Sequence, residues 1–258
     1  MTNRLELNWK LDGFVDEQRY YCSETPIDTA NLPVPKAVLA NDVRSYVDAA
    51  VEVGKTYYVA LGSVKNGVEK LSTVASIYAE DMINVVTFLR FGSTITDATS
   101  KIWNVNNINL IANHAVFKTG YLESPVSSDF AYGVGDFEWK VQLELSSASG
   151  NQYIIDHGNG NDGALSYYDN QLRYYNAVTG IYSNLYNTGI SLVVDTKYSI
   201  EVKRASGITS IYIDAILRAS GSDSYNYTAT KCWVGRYPAG TSQYLDGKID
   251  YFKIKKIP

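Results

Sequence analysis

The sequence predicts an all-β protein. Apolar and polar residues alternate with a period of two in many segments, the 3.6-residue period of a helix is scarce, and turn-forming residues recur at short intervals. The clearest alternation covers 137–145, where each odd-numbered residue is apolar and each even-numbered residue is polar or charged. A strand of this kind packs one face on a core and turns the other toward water.

Seven further strands are predicted in the same part of the chain. They are short runs rich in apolar, β-branched and aromatic residues, and clusters of Asn and Gly between them supply the turns. The predicted ranges are 151–156, 164–168, 171–176, 198–204, 208–218, 230–235 and 248–255.

Residues 1–84 are predicted to form a separate domain. Alternating apolar residues run from Leu5 to Leu11, and a second strand begins at Arg19. After a crossing that contains three prolines, the segments 53–64 and 71–78 predict further strands.

Charge and composition exclude several classes of function. Residues 1–84 carry 8 Lys and Arg against 12 Asp and Glu, whereas residues 85–258 carry 15 of each, so no basic stripe for nucleic acid is present. No apolar run approaches the ~20 residues of a membrane span. The start of the chain lacks the pattern of a signal peptide, so we expect synthesis in a cytoplasm. Cys22 and Cys232 are expected to be two buried thiols.

Tyrosine is concentrated in the second half of the chain, where seven of the 22 tyrosines lie between Tyr153 and Tyr186 among many Asn, Ser and Gly residues. This composition is typical of recognition loops, although Tyr also favours half-buried strand positions. We expect Tyr182, Asn184 and Tyr186 to contact a ligand from a loop. Adjacent pairs should each turn one ring outward. Further candidate ligand residues are Tyr168 and Tyr175 from those pairs, and His157, Asn159 and Asn161 from the neighbouring turn.

The turn that follows the strand at 151–156 is dense in oxygen ligands. Calcium binds six to eight oxygens, and Asp156, Asn159, Asn161 and Asp162 could supply some of them. The same Asn-Gly-Asn-Asp run is equally an ordinary hairpin turn. Trp233, in the middle of a short apolar strand, is expected to lie in the core.

The first 84 residues resemble a fibronectin type III domain. The resemblance rests on Trp9 and on the run Gly54-x-Thr56-Tyr57, which matches the tyrosine-corner entry to a late strand of that family. It implies a seven-stranded immunoglobulin-like sandwich that acts as a spacer, with Trp9 buried.

Residues 85–258 resemble the concanavalin A-like (laminin G-like) jelly rolls. The ordered series of segments that carries the resemblance runs from the leading strand at 89–103 through 137–139, 210–214 and 233–236 to the closing strand at 245–254. The chain departs from this family where Asp214 is followed by Ala215 instead of Gly, and where Arg90 replaces a frequent His.

A spacer sandwich followed by a lectin-like jelly roll resembles the tail fibres and receptor-binding proteins of bacteriophages. The resemblance implies a non-catalytic adhesin that binds a bacterial surface polysaccharide. It also implies location on the virion tail, other phage tail proteins as partners, and assembly as a homotrimer.

Two other functions stay open on the same fold, a polysaccharide depolymerase and a structural oligomerisation or decoration protein. The glucanase branch of this fold uses a Glu-x-Asp-x-x-Glu strand, and none of the ten glutamates has Asp two positions later. Glu138 and Glu144 share a strand face but lie roughly 20 Å apart at 3.3–3.4 Å per residue, whereas a retaining pair needs about 5–5.5 Å. We therefore expect no catalytic residues.

Overall fold

The computed structural model describes residues 5–79, 82–92, 94–111, 113–158, 162–178, 181–240 and 242–258, without the side chains of 177, 178 and 181–185. In this part of the chain there are 23 strands and one turn of 3-10 helix at Ser128–Phe130, so the all-β prediction is confirmed. None of the helical structure described has the length and apolarity needed to cross a membrane. The chain divides into two compact units, Met1–Ile83 and Asn84–Pro258.

In its described residues the first unit contains seven strands, all paired antiparallel. One sheet pairs β1 with β4, and the other has the order β3-β2-β5-β6, with β7 also paired to β5. The strands are β1 Leu5–Asn8, β2 Glu17–Ser23, β3 Ala37–Ala40, β4 Ser45–Asp48, β5 Thr56–Lys65, β6 Val68–Leu71 and β7 Ala75–Tyr78.

Tyr57 is buried at the start of β5, and its hydroxyl accepts a hydrogen bond of 2.8 Å from the Glu52 N–H. The prediction of a buried Trp9 is wrong. Trp9 follows the end of β1 and is half-buried, and its indole N–H donates to the Gln18 side chain at 2.7 Å. Leu5 and Tyr20 pack in the core instead. The fibronectin type III assignment stays a prediction.

The second unit contains sixteen strands in its described residues. They are β8 Val85–Phe91, β9 Ile95–Asp97, β10 Asn104–Asn106, β11 Asn109–Ile111, β12 His114–Phe117, β13 Tyr121–Glu123, β14 Asp136–Leu145, β15 Gln152–His157, β16 Gly163–Tyr168, β17 Gln171–Val178, β18 Ile181–Asn187, β19 Lys197–Ala205, β20 Ile208–Ile213, β21 Ile216–Ser222, β22 Cys232–Val234 and β23 Gly247–Ile257.

These strands form the two sheets of a sandwich. The seven-stranded sheet has the order β10-β13-β22-β15-β16-β17-β18. The nine-stranded sheet has the order β11-β12-β23-β14-β19-β20-β21, with β8 on β23 and β9 on β8. Apolar side chains of both sheets form one core, and β14 contributes each second residue to it, as its alternation predicts.

The predicted strand at 208–218 is wrong, because the structure divides it into β20 and β21. Asp214 and Ala215 form the two-residue turn between them, with φ of 51° and 62°. Two positive φ values are typical of the type I′ turns that join twisted hairpin strands. The turn therefore forms although Ala215 stands where similar jelly rolls often have Gly, and it places a non-glycine residue in the left-handed region.

The two cysteines are both free thiols. Cys232 is fully buried in the core of the second unit, as predicted, whereas Cys22 is only half-buried, so the prediction of burial is wrong for Cys22.

The Asp223 carboxylate joins the two sheets of the second unit. It is buried and accepts hydrogen bonds from the Asn176 side chain of β17 (3.1 Å) and the Thr209 hydroxyl of β20 (2.6 Å). The Tyr225 N–H (3.0 Å) and the Tyr227 hydroxyl (2.8 Å) are two further donors. A buried charge is tolerated when its hydrogen bonds are satisfied, and here the donors come from opposite sheets.

Replacing this carboxylate should destabilise the second unit. In Asp223→Asn the amide N–H₂ faces donors instead of bonding them, so we expect a loss of about 2–4 kcal/mol in the free energy of unfolding, measured by urea titration. Asp169→Asn, which removes the charge of an exposed carboxylate, is the control and should change it by less than about 0.5 kcal/mol. Equal effects of both substitutions would contradict this role of Asp223.

Ala215→Gly should stabilise the β20–β21 hairpin. Glycine adopts positive φ without the steric cost that alanine has, so we expect a gain of about 0.4–1 kcal/mol, seen as a higher melting temperature. Ala219→Gly, within β21, should lower the melting temperature, because glycine weakens a strand interior. A lower melting temperature for Ala215→Gly would show that the turn is not limited by backbone strain.

Candidate functional site

One side of the seven-stranded sheet faces away from the core, and the strand pairing shows which residues it carries. Leu122 of β13 and Val234 of β22 are opposite each other and both lie in the core. Their neighbours Glu123 and Trp233 are also opposite each other and therefore lie on the outer face. Trp233 in turn is opposite Asp156 of β15.

The edge of this face carries aromatic and amide side chains together. On the edge strand β10, Asn104 is opposite Glu123 and Asn106 is opposite Tyr121. Both asparagines are exposed, and Tyr121, Glu123 and Trp233 are half-buried. Rings, amides and a carboxylate thus share one open surface.

Two cations complete this surface, and each lies over a ring. The Arg236 guanidinium is 4.0 Å from the centre of the Tyr121 ring, and the Lys231 ammonium is 5.6 Å from the Trp233 ring. Lys231 also forms an ion pair with Glu123. We call this surface the tryptophan patch, which consists of Asn104, Asn106, Tyr121, Glu123, Lys231, Trp233 and Arg236.

A buried group of tyrosines adjoins the patch on the same face. The Tyr237 ring lies 4.8 Å from the Tyr153 ring, and the Tyr153 and Tyr175 hydroxyls are 2.8 Å apart. Tyr153 and Tyr175 are both less than 5% exposed. These rings are packed against one another, and they support the segment that carries Arg236.

The predicted recognition tyrosines are mostly structural. Tyr175 is buried in this group, so the expectation of an outward ring is wrong. Tyr186 is wrong as a loop residue, because it lies in β18, is buried, and donates its hydroxyl to the Ser222 carbonyl at 2.9 Å. Tyr168 is half-buried on the outer face, with the Arg173 guanidinium 5.3 Å from its ring.

The remaining predicted tyrosine-loop residues belong to β18 as well. Backbone pairing joins Tyr182 to Ala177 and Asn184 to Asn176, so the loop prediction is wrong for both. The side chains of Tyr182 and Asn184, and the whole of Asn159 and Asn161, lie outside the described residues.

His157 is fully buried between the sheets, so the prediction that it contacts a ligand is wrong. Its Nε2–H donates to the Phe130 carbonyl at 2.9 Å, and its ring stacks on Tyr132 with centres 4.8 Å apart. Burial lowers the pKa of His157 to about 4, against the opposing effect of Asp162, whose carboxylate is 3.8 Å away. His157 is therefore neutral at physiological pH.

The proposed calcium ligands are only partly described. Asp162 accepts hydrogen bonds from the Tyr225 hydroxyl (3.1 Å) and from the Ala229 N–H, so both of its oxygens have protein donors. Asp156 lies on the outer face of β15 and is buried. Within the described ranges, no group of three or more His, Cys, Asp and Glu could hold a metal. Calcium binding by this turn stays a prediction.

An open pocket of about 520 Å³ lies elsewhere in the second unit, lined in part by Arg204, Gly207 and Asp223. Both of its charged residues have hydrogen-bond partners inside the protein, although the buried Nε of Arg204 has none among the described residues. Arg204 donates to the Tyr225 carbonyl at 2.8 Å, and Asp223 accepts the four hydrogen bonds described above. We therefore place the candidate binding site at the tryptophan patch and not in this pocket.

The two glutamates considered for glycosidase chemistry, and the two carboxylates of the outer face near the tryptophan patch, are ion-paired or buried. Glu138 forms an ion pair with Lys140 at 3.2 Å, and Glu144 forms one with Lys248. On the face with the tryptophan patch, Glu123 is paired with Lys231, and Asp156 has no exposed surface.

Sequence reasoning missed the patch because it placed Trp233 in the core. A local signal was available. Cys232 and Val234 are small and apolar, and both are fully buried, so the period of two turns Trp233 to the opposite face. Arg236 carries no such signal, because it follows the strand and its position depends on the packing of Tyr237.

No protein-family model matches the chain, and no curated protein matches it in sequence. Solved structures of similar fold include the binding domain of botulinum neurotoxin serotype C1, with a TM-score of 0.55 and 13% identity over 68% of this chain and 50% of that chain. A Trypanosoma rangeli sialidase has a TM-score of 0.56 and 15% identity over 79% of this chain and 42% of that chain.

Domain 4 of AbnA, a GH43 extracellular arabinanase from Geobacillus stearothermophilus, has a TM-score of 0.53 and 13% identity over 67% of this chain and 92% of the domain. The chain thus spans about half the length of the neurotoxin binding domains and nearly all of the arabinanase domain. At these identities, the comparisons establish a shared β-sandwich jelly-roll fold.

The buried His157 should make stability depend on pH. Its folded pKa lies below the unfolded value of about 6.5, so the unfolded state takes up the proton first as the pH falls. The stability linked to a neutral His157 is complete above pH ~6.5 and is lost toward pH 4.

Between pH 6.5 and 4 we expect the wild type to lose about 2–3 kcal/mol more unfolding free energy than His157→Gln, by denaturant titration at each pH. Val126→Ala, at an exposed position without a titratable group, is the control and should keep the wild-type slope. Parallel curves for the wild type and His157→Gln would contradict a neutral buried His157.

Proposed function

We propose that the second unit binds a bacterial surface polysaccharide at the tryptophan patch and has no catalytic activity. The observation that carries the proposal is the position of Trp233. This large amphipathic ring lies half-exposed on the outer face of the sheet although a large core is available on the other face.

The chemistry of the patch suits a sugar. The face of an aromatic ring is weakly negative and packs against the C–H groups of a pyranose, while a phenol or indole bonds hydroxyls at its polar end. Asn104, Asn106 and Glu123 surround the rings with amide and carboxylate groups that donate to and accept from hydroxyls. Trp233 and Tyr121 stand on paired strands, so little ordering entropy is lost on binding.

The similar structures support a carbohydrate ligand. They include the binding domain of botulinum neurotoxin DC in complex with SialylT, and domain 4 of the arabinanase in complex with arabinotriose. Cell entry of botulinum neurotoxin type C depends on interaction with two ganglioside molecules. These ligands belong to those proteins, and the proposal for this chain rests on its own patch.

The state of the carboxylates supports binding without hydrolysis. A glycosidase needs one carboxyl group free to act as an acid and a second free as a base or nucleophile. At the patch, Glu123 is neutralised by Lys231 and Asp156 is shielded from solvent. Because sialidases share this fold, the alternative function is enzymatic hydrolysis. A fall in the chain length of purified polysaccharide after incubation with the protein would establish it.

We further propose that the protein is a bacteriophage tail-fibre or receptor-binding protein. The sequence resemblance of both parts supports this, with the first unit as a spacer and the second as the adhesin. On this proposal the protein acts on the virion tail after synthesis in the host cytoplasm. Its partners are other tail proteins, and it assembles as a trimer.

Trp233→Ala should abolish most of the binding to host cells. Loss of a central aromatic contact typically costs 2 kcal/mol or more, so we expect affinity for labelled cells to fall about tenfold or more. Tyr212→Ala is the matched control, because Tyr212 is a half-buried ring on the outward side of β20 in the other sheet. It should bind as the wild type does.

Binding is measured directly by staining host cells with the labelled protein, alongside host strains that lack the surface polysaccharide. Equal staining of both strains would contradict polysaccharide recognition, and equal loss in both variants would contradict the tryptophan patch as its location.

A further inference from the structure

Arg236 is the cation of the tryptophan patch that no acidic side chain neutralises. Among the described residues, no carboxylate lies within 4.0 Å of its guanidinium, whereas Lys231 on the same patch is paired with Glu123. One Nη2–H donates to the Pro238 carbonyl at 3.0 Å, and Nε is buried with no hydrogen-bond partner in the described part of the chain.

The position of this guanidinium is fixed by packing. It lies 4.0 Å from the centre of the Tyr121 ring, and the ring of the next residue, Tyr237, packs against the Tyr153 ring at a tilt of 32°. The Gly235 N–H bonds to the Ile154 carbonyl at 3.0 Å, which holds the start of the segment against β15. An arginine held in this way loses less entropy when it forms further hydrogen bonds.

A half-buried guanidinium with unused donors favours an anion. Partial burial removes water from the cation, and a carboxylate on the ligand would restore the lost interaction through charge-assisted hydrogen bonds. Arginine suits this task because its planar donors match the two oxygens of a carboxylate. A neutral sugar hydroxyl would bond the donors but leave the charge uncompensated.

We propose that the glycan recognised at the tryptophan patch is acidic, with the carboxylate of a uronic or sialic acid residue bound by Arg236 beside Tyr121. This inference rests on the proposed function and specifies its ligand. The sugar ring then packs on Trp233, and its hydroxyls face Asn104 and Asn106.

The test compares native polysaccharide from the host cell surface with the same material after its carboxyl groups are reduced to alcohols. Polygalacturonate and polysialic acid, each with its carboxyl-reduced form, extend the set of probes. Affinity is measured for the wild type, Arg236→Gln, Arg236→Lys and the control Arg218→Gln. Arg218 is exposed on β21 of the other sheet, so its substitution removes the same charge away from the patch.

We expect the wild type to bind at least one native acidic polymer about tenfold or more tightly than its reduced form. Arg236→Gln should lose that difference, Arg236→Lys should recover only part of it because an ammonium is not bidentate, and Arg218→Gln should match the wild type. Melting curves of all variants verify that they fold.

Equal binding of native and reduced polymers would overturn the acidic ligand and leave glycan binding intact. Equal losses in Arg236→Gln and Arg218→Gln would show non-specific charge attraction and would also overturn it. Binding to no polymer in either form would contradict the proposed function itself.

Discussion

The burial of Cys232 and Val234 is the constraint on which the tryptophan patch depends. Both side chains fill the core between the sheets and have no exposed surface. Because neighbours in a strand point to opposite sides, Trp233 is held on the outer face. The patch is thus a consequence of core packing: as long as β22 keeps its register with β13 and β15, the ring stays at the surface.

The rest of the second unit holds that strand in place. Hydrogen bonds among buried tyrosines connect its strands and loops, since Tyr153 bonds Tyr175 on the outer face and Tyr174 bonds Tyr227 in the core. Tyr227 continues the network to Asp223, which takes donors from both sheets. Buried polar networks that are fully satisfied specify one arrangement of a core. A binding surface on such a scaffold is ordered before its ligand arrives.

Much of the fold could be predicted from the sequence, and less of the site. The alternation at 137–145 was sufficient to predict β14 and its buried face, because in a strand with one buried face each second residue is apolar. The excess of tyrosine was misleading, because it suggested ligand-binding rings. The sequence shows that each phenol needs a hydrogen-bond partner, but not that the partner is a second phenol of the protein, such as Tyr227 or Tyr175. Arg236 could not be predicted either, since it is placed by contacts between distant segments.

The most direct test of this account is to map the bound glycan onto the protein by NMR. Titrating host polysaccharide fragments into isotope-labelled protein should shift the amide resonances of β10, β13 and β22 and the indole N–H of Trp233. Resonances of the nine-stranded sheet should stay in place. Shifts confined to that sheet, or to the first unit, would contradict the tryptophan patch as the binding site.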